Sequence, residues 1–196
     1  MTRPSVWVLA CLLAACASVP PVPSASAEQR WRERKAVLES MRVWALNGRI
    51  ALNTQDDAWQ ANIYWQQRGD TFEIRLNAPL GAGAMALYGD KRGIVMRLPE
   101  GKTVTAQDAE SLLHEHLGWR IPLAGLHYWV RGLPQPGAPY HSELDAEGRL
   151  TELRQAGWQI KFLRYVEAIP VQLPDKIFLE HPQLHARLVI QQWMPV

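Results

Sequence analysis

The sequence predicts a mainly β fold with helices (α+β), in which a curved antiparallel sheet is covered by helices on its open side. Three observations lead to this prediction. About ten short segments alternate apolar and polar residues with a period of two, turn residues separate these segments, and two amphipathic helical segments interrupt the series near its middle. Short strands at this spacing are typical of a barrel or a sandwich, and helices among them can bury their apolar stripes against the concave face.

The first strand shows the alternation clearly. In residues 43–53, Trp44, Leu46 and Ile50 lie on one face, whereas Arg49 lies on the other. One apolar and one polar face is typical of an antiparallel sheet with one face in water. The strands predicted in the first half of the chain are residues 43–53, 58–66, 71–77, 82–88 and 93–98, with a short strand after residues 100–102. Those predicted in the second half are residues 140–144, 149–155, 158–166, 176–180 and 184–193.

Three helices are predicted. Residues 28–41 are charged with few apolar positions, which predicts a helix on the surface. Residues 105–108 resemble a capping box with Asp in place of Glu, so a second helix is expected to start there and to end at Gly118. Pro122 suits the first position of a third helix, which residues 132–134 would stop.

The N terminus is typical of a lipoprotein precursor. A short positive start at Arg3 precedes an apolar run from Val6 to Ala15, which fits a secretory signal and is too short to span a bilayer. The small residues before Cys16 favour cleavage just before this cysteine and lipid attachment to its thiol; an ordinary secretory signal with a chance cysteine is the alternative. By resemblance to bacterial lipoproteins, Ala17 in place of Asp implies export to the outer membrane.

The rest of the chain is expected to form one domain behind a linker. The prediction is a signal peptide at residues 1–15, a lipidated cysteine and flexible linker at residues 16–27, and a single folded domain at residues 28–196. Both cysteines lie in the signal or at its cleavage point, so packing and not disulfides must stabilise the domain. A net charge of +2 without a basic run gives no reason to expect a nucleic-acid partner.

Candidate catalytic and metal-binding residues do not form recognisable sites. His114 and His116 are two residues apart on a predicted helix and therefore point to different sides, and Pro182 disfavours a helix that would bring His181 and His185 together. The serines do not occur in a G-x-S-x-G motif, and no nucleotide-binding fingerprint is present. The sequence therefore predicts neither an enzyme nor a cofactor or metal.

Tryptophan is the most unusual part of the composition. Eight of the nine tryptophans follow residue 16, and several lie on the apolar faces of predicted strands, which indicates either a well-filled core or a wide apolar cavity lined by large rings. The residues expected to line or adjoin this cavity are Trp44, Leu46, Ile50, Trp59, Ile63, Trp65, Phe72, Ile74, Trp158 and Ile160.

A second unusual feature is the loop containing Pro79, Leu80 and Gly81. Proline ends the preceding strand and glycine permits a turn, which would place Leu80 at the tip between two strands. Either Leu80 folds back into the core, or it remains exposed and contacts membrane or lipid.

With these features in place, the chain resembles the LolB family, the outer-membrane lipoprotein receptors of the lipoprotein localisation system. The resemblance rests on the order of several short stretches together with the signal that ends at Cys16. The stretches are residues 44–51 (WALNGRIA), 63–67 (IYWQQ), 74–81 (IRLNAPLG), 105–118, 121–123 (IPL), 126–134 (LHYWVRGLP), 157–158 and 173–174. Ala82 and Gly83 depart slightly from the family pattern and make the loop after Leu80 more flexible.

The resemblance implies an incompletely closed antiparallel β-barrel with α-helices over the opening. It also implies a lipid-anchored monomer on the periplasmic face of the outer membrane, in which residues 28–196 bind lipoproteins. Such a receptor accepts lipoproteins from the periplasmic carrier LolA and inserts them into the inner leaflet, and a functional leucine of the family falls on Leu80. An apolar cavity would shield the acyl chains, since each exposed methylene costs about 0.8 kcal/mol. The alternative is a passive lipid-anchored scaffold with a solid core.

Overall fold

The structure, a computed structural model, describes residues 25–79, 83–90, 92–99 and 101–195, which contain eleven strands and three helices. The strands are β1 (Val43–Asn53), β2 (Ala58–Arg68), β3 (Thr71–Asn77), β4 (Ala84–Asp90), β5 (Gly93–Arg97), β6 (Thr103–Ala106), β7 (Tyr140–Leu144), β8 (Leu150–Gln155), β9 (Trp158–Val166), β10 (Leu173–His181) and β11 (Leu184–Pro195). The helices are α1 (Ala27–Ser40), α2 (Ala109–Leu117) and α3 (Leu123–Trp129). Within the described ranges, no helix is long and apolar enough to cross a bilayer.

All eleven strands form one sheet in the order β6-β5-β4-β3-β2-β1-β11-β10-β9-β8-β7, and the pairs are antiparallel. The edge strands β6 and β7 do not pair with each other in the described part of the chain, so the barrel is incompletely closed, and the predicted fold class is confirmed. Strands from the two ends of the chain pair directly, for example Leu46 with Trp193. Gly48 lies at a register shift in this pair, where a Cβ atom would meet the carbonyl oxygen of Val189 at 2.4 Å.

The core lies on the concave face, where the predicted alternation is confirmed. Trp44, Leu46 and Leu52 of β1 are buried, whereas Arg49 between them is exposed. Cross-strand neighbours continue the same face, since Leu46 pairs with Trp65 of β2. The sheet therefore presents a continuous apolar concave surface that the helices can cover.

Helix α1 lies across one end of the barrel, which we call the α1 end. Its N-cap Ser26 accepts a hydrogen bond from the amide of Gln29 at 3.1 Å, and Trp31 and Leu38 are its buried residues. Arg30 donates to the carbonyl oxygen of Ala146, in the turn between β7 and β8, at 2.9 Å. The prediction of a surface helix here is confirmed.

The capping-box prediction for the second helix is wrong. Thr105 lies in β6 and pairs with Val95, so strand pairing takes up the residues that were expected to open the helix. Asp108 is the N-cap instead, and its carboxylate accepts the amide of Ser111 at 2.7 Å. Gly118 ends the helix in the left-handed conformation, with φ of 71°, as predicted.

The third helix and strand β10 also differ in their bounds from the prediction. Pro122 is the N-cap of α3 and not its first helical residue, and no side chain caps this end. Strand β10 begins three residues earlier than predicted, because Leu173 and Pro174 continue the pairing with Val166 and Tyr165 of β9. These differences shift element ends and leave the architecture unchanged.

Candidate functional site

An enclosed, wholly apolar cavity lies between the concave face of the sheet and helix α3. Its volume is about 20 Å³, which is about the space of one water molecule. Its lining residues come from β1, β2, β9, β10, β11, α3 and the segment before α3: they are Ile50, Leu52, Ile63, Trp65, Ile121, Leu126, Trp129, Trp158, Leu179, Ala186 and Leu188.

The ten residues expected at an acyl-chain cavity all lie in or against the core. Ile50, Ile63, Trp65 and Trp158 line the cavity itself. The remaining six belong to the surrounding core: Trp44, Leu46, Ile74 and Ile160 are buried, and Trp59 and Phe72 are half-buried against them.

The interior is much smaller than the tryptophan content suggested. Ligand pockets commonly hold about 300–1,000 Å³, whereas the aromatic rings here pack on one another and fill most of the space. The ring centroids of Trp44 and Trp65 are 5.2 Å apart, and those of Trp59 and Trp119 are 4.8 Å apart. The enclosed space in this structure is therefore too small for an acyl chain.

Residues 108–126, which contribute Ile121 and Leu126 to the cavity lining, are held to the barrel by apolar contacts. We call this segment the lid. Leu112, Leu113 and Ile121 are buried in the common core. In the described chain, the hydrogen bonds of lid residues stay within the lid or continue helix α3, as in the bonds of Asp108 with Ser111 and of Arg120 with His114. A surface held in this way can separate from the sheet without breaking a hydrogen bond to it.

The chain just after the lid is, in contrast, fixed by buried polar groups. The indole nitrogen of Trp129 donates to Gln155 Oε1 of β8 at 2.9 Å. Gln155 also accepts the amide of Gln135 at 2.8 Å, and its own amide donates to the carbonyl oxygens of Gln135 at 2.8 Å and Ala138 at 3.2 Å. The C-terminal end of α3 is therefore pinned to the sheet and can serve as the fixed side of a hinge.

A buried arginine joins this fixed end to helix α1. Arg131 is 2 % exposed, and its Nη1 donates to the carbonyl oxygens of Leu38 at 3.0 Å and Met41 at 2.9 Å. Its Nη2 lies 3.1 Å from His127 Nε2. Burial lowers the pKa of Arg131 to about 10, well above neutral pH, so its charge is retained and is stabilised by the last carbonyl groups of α1.

The pKa of His127, on α3, is shifted far from its ordinary value near neutral pH. Burial, and then the positive charge of Arg131, lower its pKa from 6.5 to about 4, and the Coulombic attraction of Asp70 opposes this shift. The imidazole is therefore neutral at pH 7. Its ring centroid lies 5.8 Å from that of Trp44, so His127 packs as part of the aromatic cluster beneath the lid.

An open cleft lies beside the enclosed cavity. It has a volume of about 550 Å³ and runs between the N-terminal parts of α2 and α3 and strands β2 and β3. Phe72, Leu123 and Tyr128 line it, and Trp65 borders both the cleft and the cavity. The ring of Trp65 thus separates the cleft from the enclosed space.

The predicted membrane-contact loop is only partly described. Pro79 follows β3, whereas Leu80 and Gly81 lie outside the described residues. The base of the loop is closed by a hydrogen bond from the amide of Ala78 to the carbonyl oxygen of Gly83 at 3.1 Å. Gly83 has φ of 102° and packs against Pro99, where a Cβ atom would come within 2.4 Å of the proline Cβ.

The histidines considered as metal ligands have other contacts. Arg120 Nη2 lies 2.7 Å from His114 Nε2, and the ring of His181 lies 5.1 Å from that of Trp158. Across the described ranges, no three histidine, cysteine or acidic residues are grouped as a metal site.

Sequence reasoning did not single out Gln155, Arg131 or His127. The signal for Arg131 was an arginine directly after the apolar stripe of α3, within the stretch that resembles LolB. Nothing local marked Gln155, because its partners lie 17 to 26 residues away along the chain.

Comparison with known proteins gives a family match over most of the chain. The family model for the outer membrane lipoprotein LolB matches residues 42–193. The chain is 46% identical over 184 residues to the outer-membrane lipoprotein LolB of Nitrosococcus oceani, covering 93% of this chain and 92% of that protein. It is 37% identical to the protein of the same name from Pseudomonas syringae pv. syringae, covering 97% of this chain and 94% of that one.

Solved structures share the fold at low sequence identity. A LolA superfamily protein from Nitrosomonas europaea superposes with a TM-score of 0.57 at 10% identity, covering 88% of this chain and 94% of that one. A putative outer membrane lipoprotein-sorting protein domain from Vibrio parahaemolyticus gives 0.56 at 9% identity, covering 86% and 91%. The family match, the relatives and the shared architecture lead to one conclusion: the chain belongs to the LolB family of outer-membrane lipoproteins, which serve in lipoprotein localisation.

Proposed function

We propose that this protein accepts lipoproteins from the periplasmic carrier LolA by taking their acyl chains into the space beneath the lid, and then inserts them into the inner leaflet of the outer membrane. The observation that carries the proposal is the wholly apolar cavity beside a segment whose hydrogen bonds, among the residues that the structure describes, do not reach the sheet. Acyl chains need such a space, because each methylene left in water costs about 0.8 kcal/mol.

The closed cavity must enlarge to hold an acyl chain. The lid can move on its apolar contacts, while Trp129 and Arg131 keep the C-terminal end of α3 in place. The cleft next to Trp65 gives the acyl chain a path to the cavity, because Trp65 lines both spaces. The energy for transfer then comes from relative affinities, with the membrane as the best solvent for the acyl chains.

The proposal includes a lipid anchor on Cys16. Mass spectrometry of the mature N terminus is the direct measurement: we expect acylated Cys16 in the natural protein and no acylation in Cys16→Ala. An unmodified cysteine in the natural protein would contradict the anchor.

The cavity is tested by uptake of a fluorescent fatty-acyl probe by the purified mature protein. Ala186 lines the cavity, so Ala186→Phe should fill the space and weaken probe binding by about tenfold or more, at a packing cost of about 1–3 kcal/mol. The matched control is Ala51→Phe. Ala51 lies on β1, which pairs with the strand of Ala186, and the alternation of side chains along β1 places Ala51 on the outer face of the sheet. This control should bind the probe as the natural protein does.

The small cavity volume favours one alternative, a passive lipid-anchored scaffold with a solid core. Such a scaffold would take up no acyl probe, and Ala186→Phe would then change only stability. Transfer of a labelled lipoprotein from LolA to this protein is the second discriminating measurement, since a scaffold would not accept it.

A further inference from the structure

An exposed apolar loop lies at the α1 end and has no role in the proposed cavity. Three of the five large apolar or aromatic side chains exposed in the described residues lie within residues 163–169: Leu163 is 50%, Val166 is 36% and Ile169 is 86% exposed. Residues 168–171 of this β9–β10 loop carry no charge. An isoleucine held in water at the tip of such a loop indicates a contact surface.

The loop is held firmly in this position. Its two ends meet where Val166 pairs with Leu173. Gln172 is bound by three side chains, because its carbonyl oxygen accepts a hydrogen bond from Arg34, its Oε1 accepts one from Arg149 at 2.8 Å, and its amide donates to Glu167. These bonds fix the ends of the loop and leave Ile169 outermost.

The β9–β10 loop lies at the same end of the barrel as helix α1. Arg34 of α1 binds this loop, and Arg30 of the same helix binds the neighbouring β7–β8 turn. The N-cap of α1 is Ser26, and nine residues separate it from Cys16. A linker of this length can reach at most about 30 Å. An anchor on Cys16 therefore holds the α1 end, and with it Ile169, near the bilayer surface.

A groove beside the loop widens the same surface. It has a volume of about 1170 Å³, and its apolar lining residues include Met41, Val43, Ala168, Ile169 and Met194. Arg42 and Glu167 also line it. A mixture of apolar and charged side chains suits the interface of a bilayer, where acyl chains and polar headgroups meet.

We propose that Ile169 docks the α1 end onto the lipid surface to which the protein is anchored. This inference rests on the proposed anchor at Cys16. The loop that contains Pro79 follows β3 at the opposite end of the barrel, about 23 Å away at the rise of a seven-residue strand. Docking through Ile169 thus turns the Pro79 end away from the bilayer, so that this end can meet an arriving carrier. Delivery of cargo through the Pro79 end then requires the domain to turn over on its linker.

The test uses the full precursor, processed to the lipidated protein and reconstituted in liposomes of phosphatidylethanolamine with some phosphatidylglycerol. A cysteine introduced after position 16 is the single free thiol of the lipidated protein, so Ile169→Cys can carry an environment-sensitive dye. Gln183→Cys is the matched control, because Gln183 is exposed in the β10–β11 turn at the opposite end. Lipids with brominated acyl chains should quench the dye at position 169 and leave the dye at position 183 bright.

A second variant separates docking from any attraction of the dye for lipid. With the dye moved to Leu163→Cys, adding Ile169→Glu should lower the docked population by about tenfold or more, the factor for burying an isoleucine side chain. Quenching at position 163 should then fall to the level seen at position 183.

Each other outcome counts against the inference. Equal quenching at positions 169 and 183, or none at either, overturns it. A dye shift at position 169 that appears without liposomes and grows with protein concentration assigns the surface to a second copy of the chain. Failure of the protein to float with the liposomes contradicts the anchor and, with it, the inference, whereas acyl-probe uptake tests the cavity separately.

Discussion

Trp129 and Gln155 form the buried polar link between helix α3 and the sheet, with the indole Nε1 2.9 Å from Gln155 Oε1. Both side chains are excluded from water, at 0% and 3% exposure. The link divides the cover of the cavity into a fixed part after Trp129 and a lid that lacks hydrogen bonds to the sheet in the described chain. This division predicts a hinge between the lid and the pinned C-terminal end of α3.

Gln155→Leu should destabilise the protein by about 3 kcal/mol, because the substitution leaves the indole N–H of Trp129 and the backbone groups of Gln135 without buried partners. For a domain of this size, this corresponds to a fall in melting temperature of roughly 6–12 °C, measured by thermal unfolding. Gln60→Leu on the exposed face of β2 is the control and should change stability by less than about 0.5 kcal/mol. Equal effects of the two substitutions would contradict the anchoring role.

Hydrogen exchange should distinguish the lid from the fixed end of α3. We expect the amides of residues 109–117 to exchange at least about tenfold faster than those of residues 127–133, because among the described residues only apolar contacts hold the first segment to the sheet. A bound acyl probe should change exchange in the lid and leave the fixed end unaltered. Equal protection of α2 and α3 in the free protein would argue against a hinge at this place.

The neutral state of His127 makes stability depend on pH. The unfolded chain binds a proton at this residue below about pH 6.5, whereas the folded protein resists it until its pKa of about 4. The contribution is therefore fully present above pH 6.5 and is lost as the pH falls towards 4, by up to about 3 kcal/mol. Urea unfolding of the natural protein and of His127→Gln between pH 7 and pH 4 measures this contribution, and the variant should lose less stability. Parallel curves would show that His127 is not buried as a neutral group.

The strand pattern could be predicted because it is local. Alternation alone assigns Ile63 and Trp65 to the buried face and Arg49 to the exposed one, and the structure agrees. The start of α2 could not be predicted in the same way, since Thr105 satisfies a helix-capping pattern and also pairs as a strand residue with Val95. Local preference and tertiary pairing compete at such a residue, and pairing prevails.

The size of the cavity depends on distances that no local pattern contains. The ring centroids of Trp59 and Trp119 are 4.8 Å apart although the two residues are sixty positions apart in the sequence. Whether large rings line a space or fill it is decided by such encounters, and here they fill it. The same holds for the buried polar anchors, since Arg131 binds carbonyl groups about ninety residues away.

Leu80→Glu should separate acceptance of cargo from its delivery. Leu80 lies outside the described residues, and the described residues that flank it, Ala78 and Gly83, are joined by a hydrogen bond from the amide of Ala78 to the carbonyl oxygen of Gly83. If Leu80 is at the tip of this loop, a carboxylate there costs the core little, and the melting temperature should fall by no more than a few degrees. A carboxylate resists insertion into the membrane interface, so release of a labelled lipoprotein into liposomes should fall well below that of the natural protein, while transfer from LolA to the variant persists. Leu80→Met is the matched control and should deliver normally. A collapse in melting temperature would make Leu80 a core residue, and normal delivery by Leu80→Glu would remove the reason for an exposed leucine in this loop.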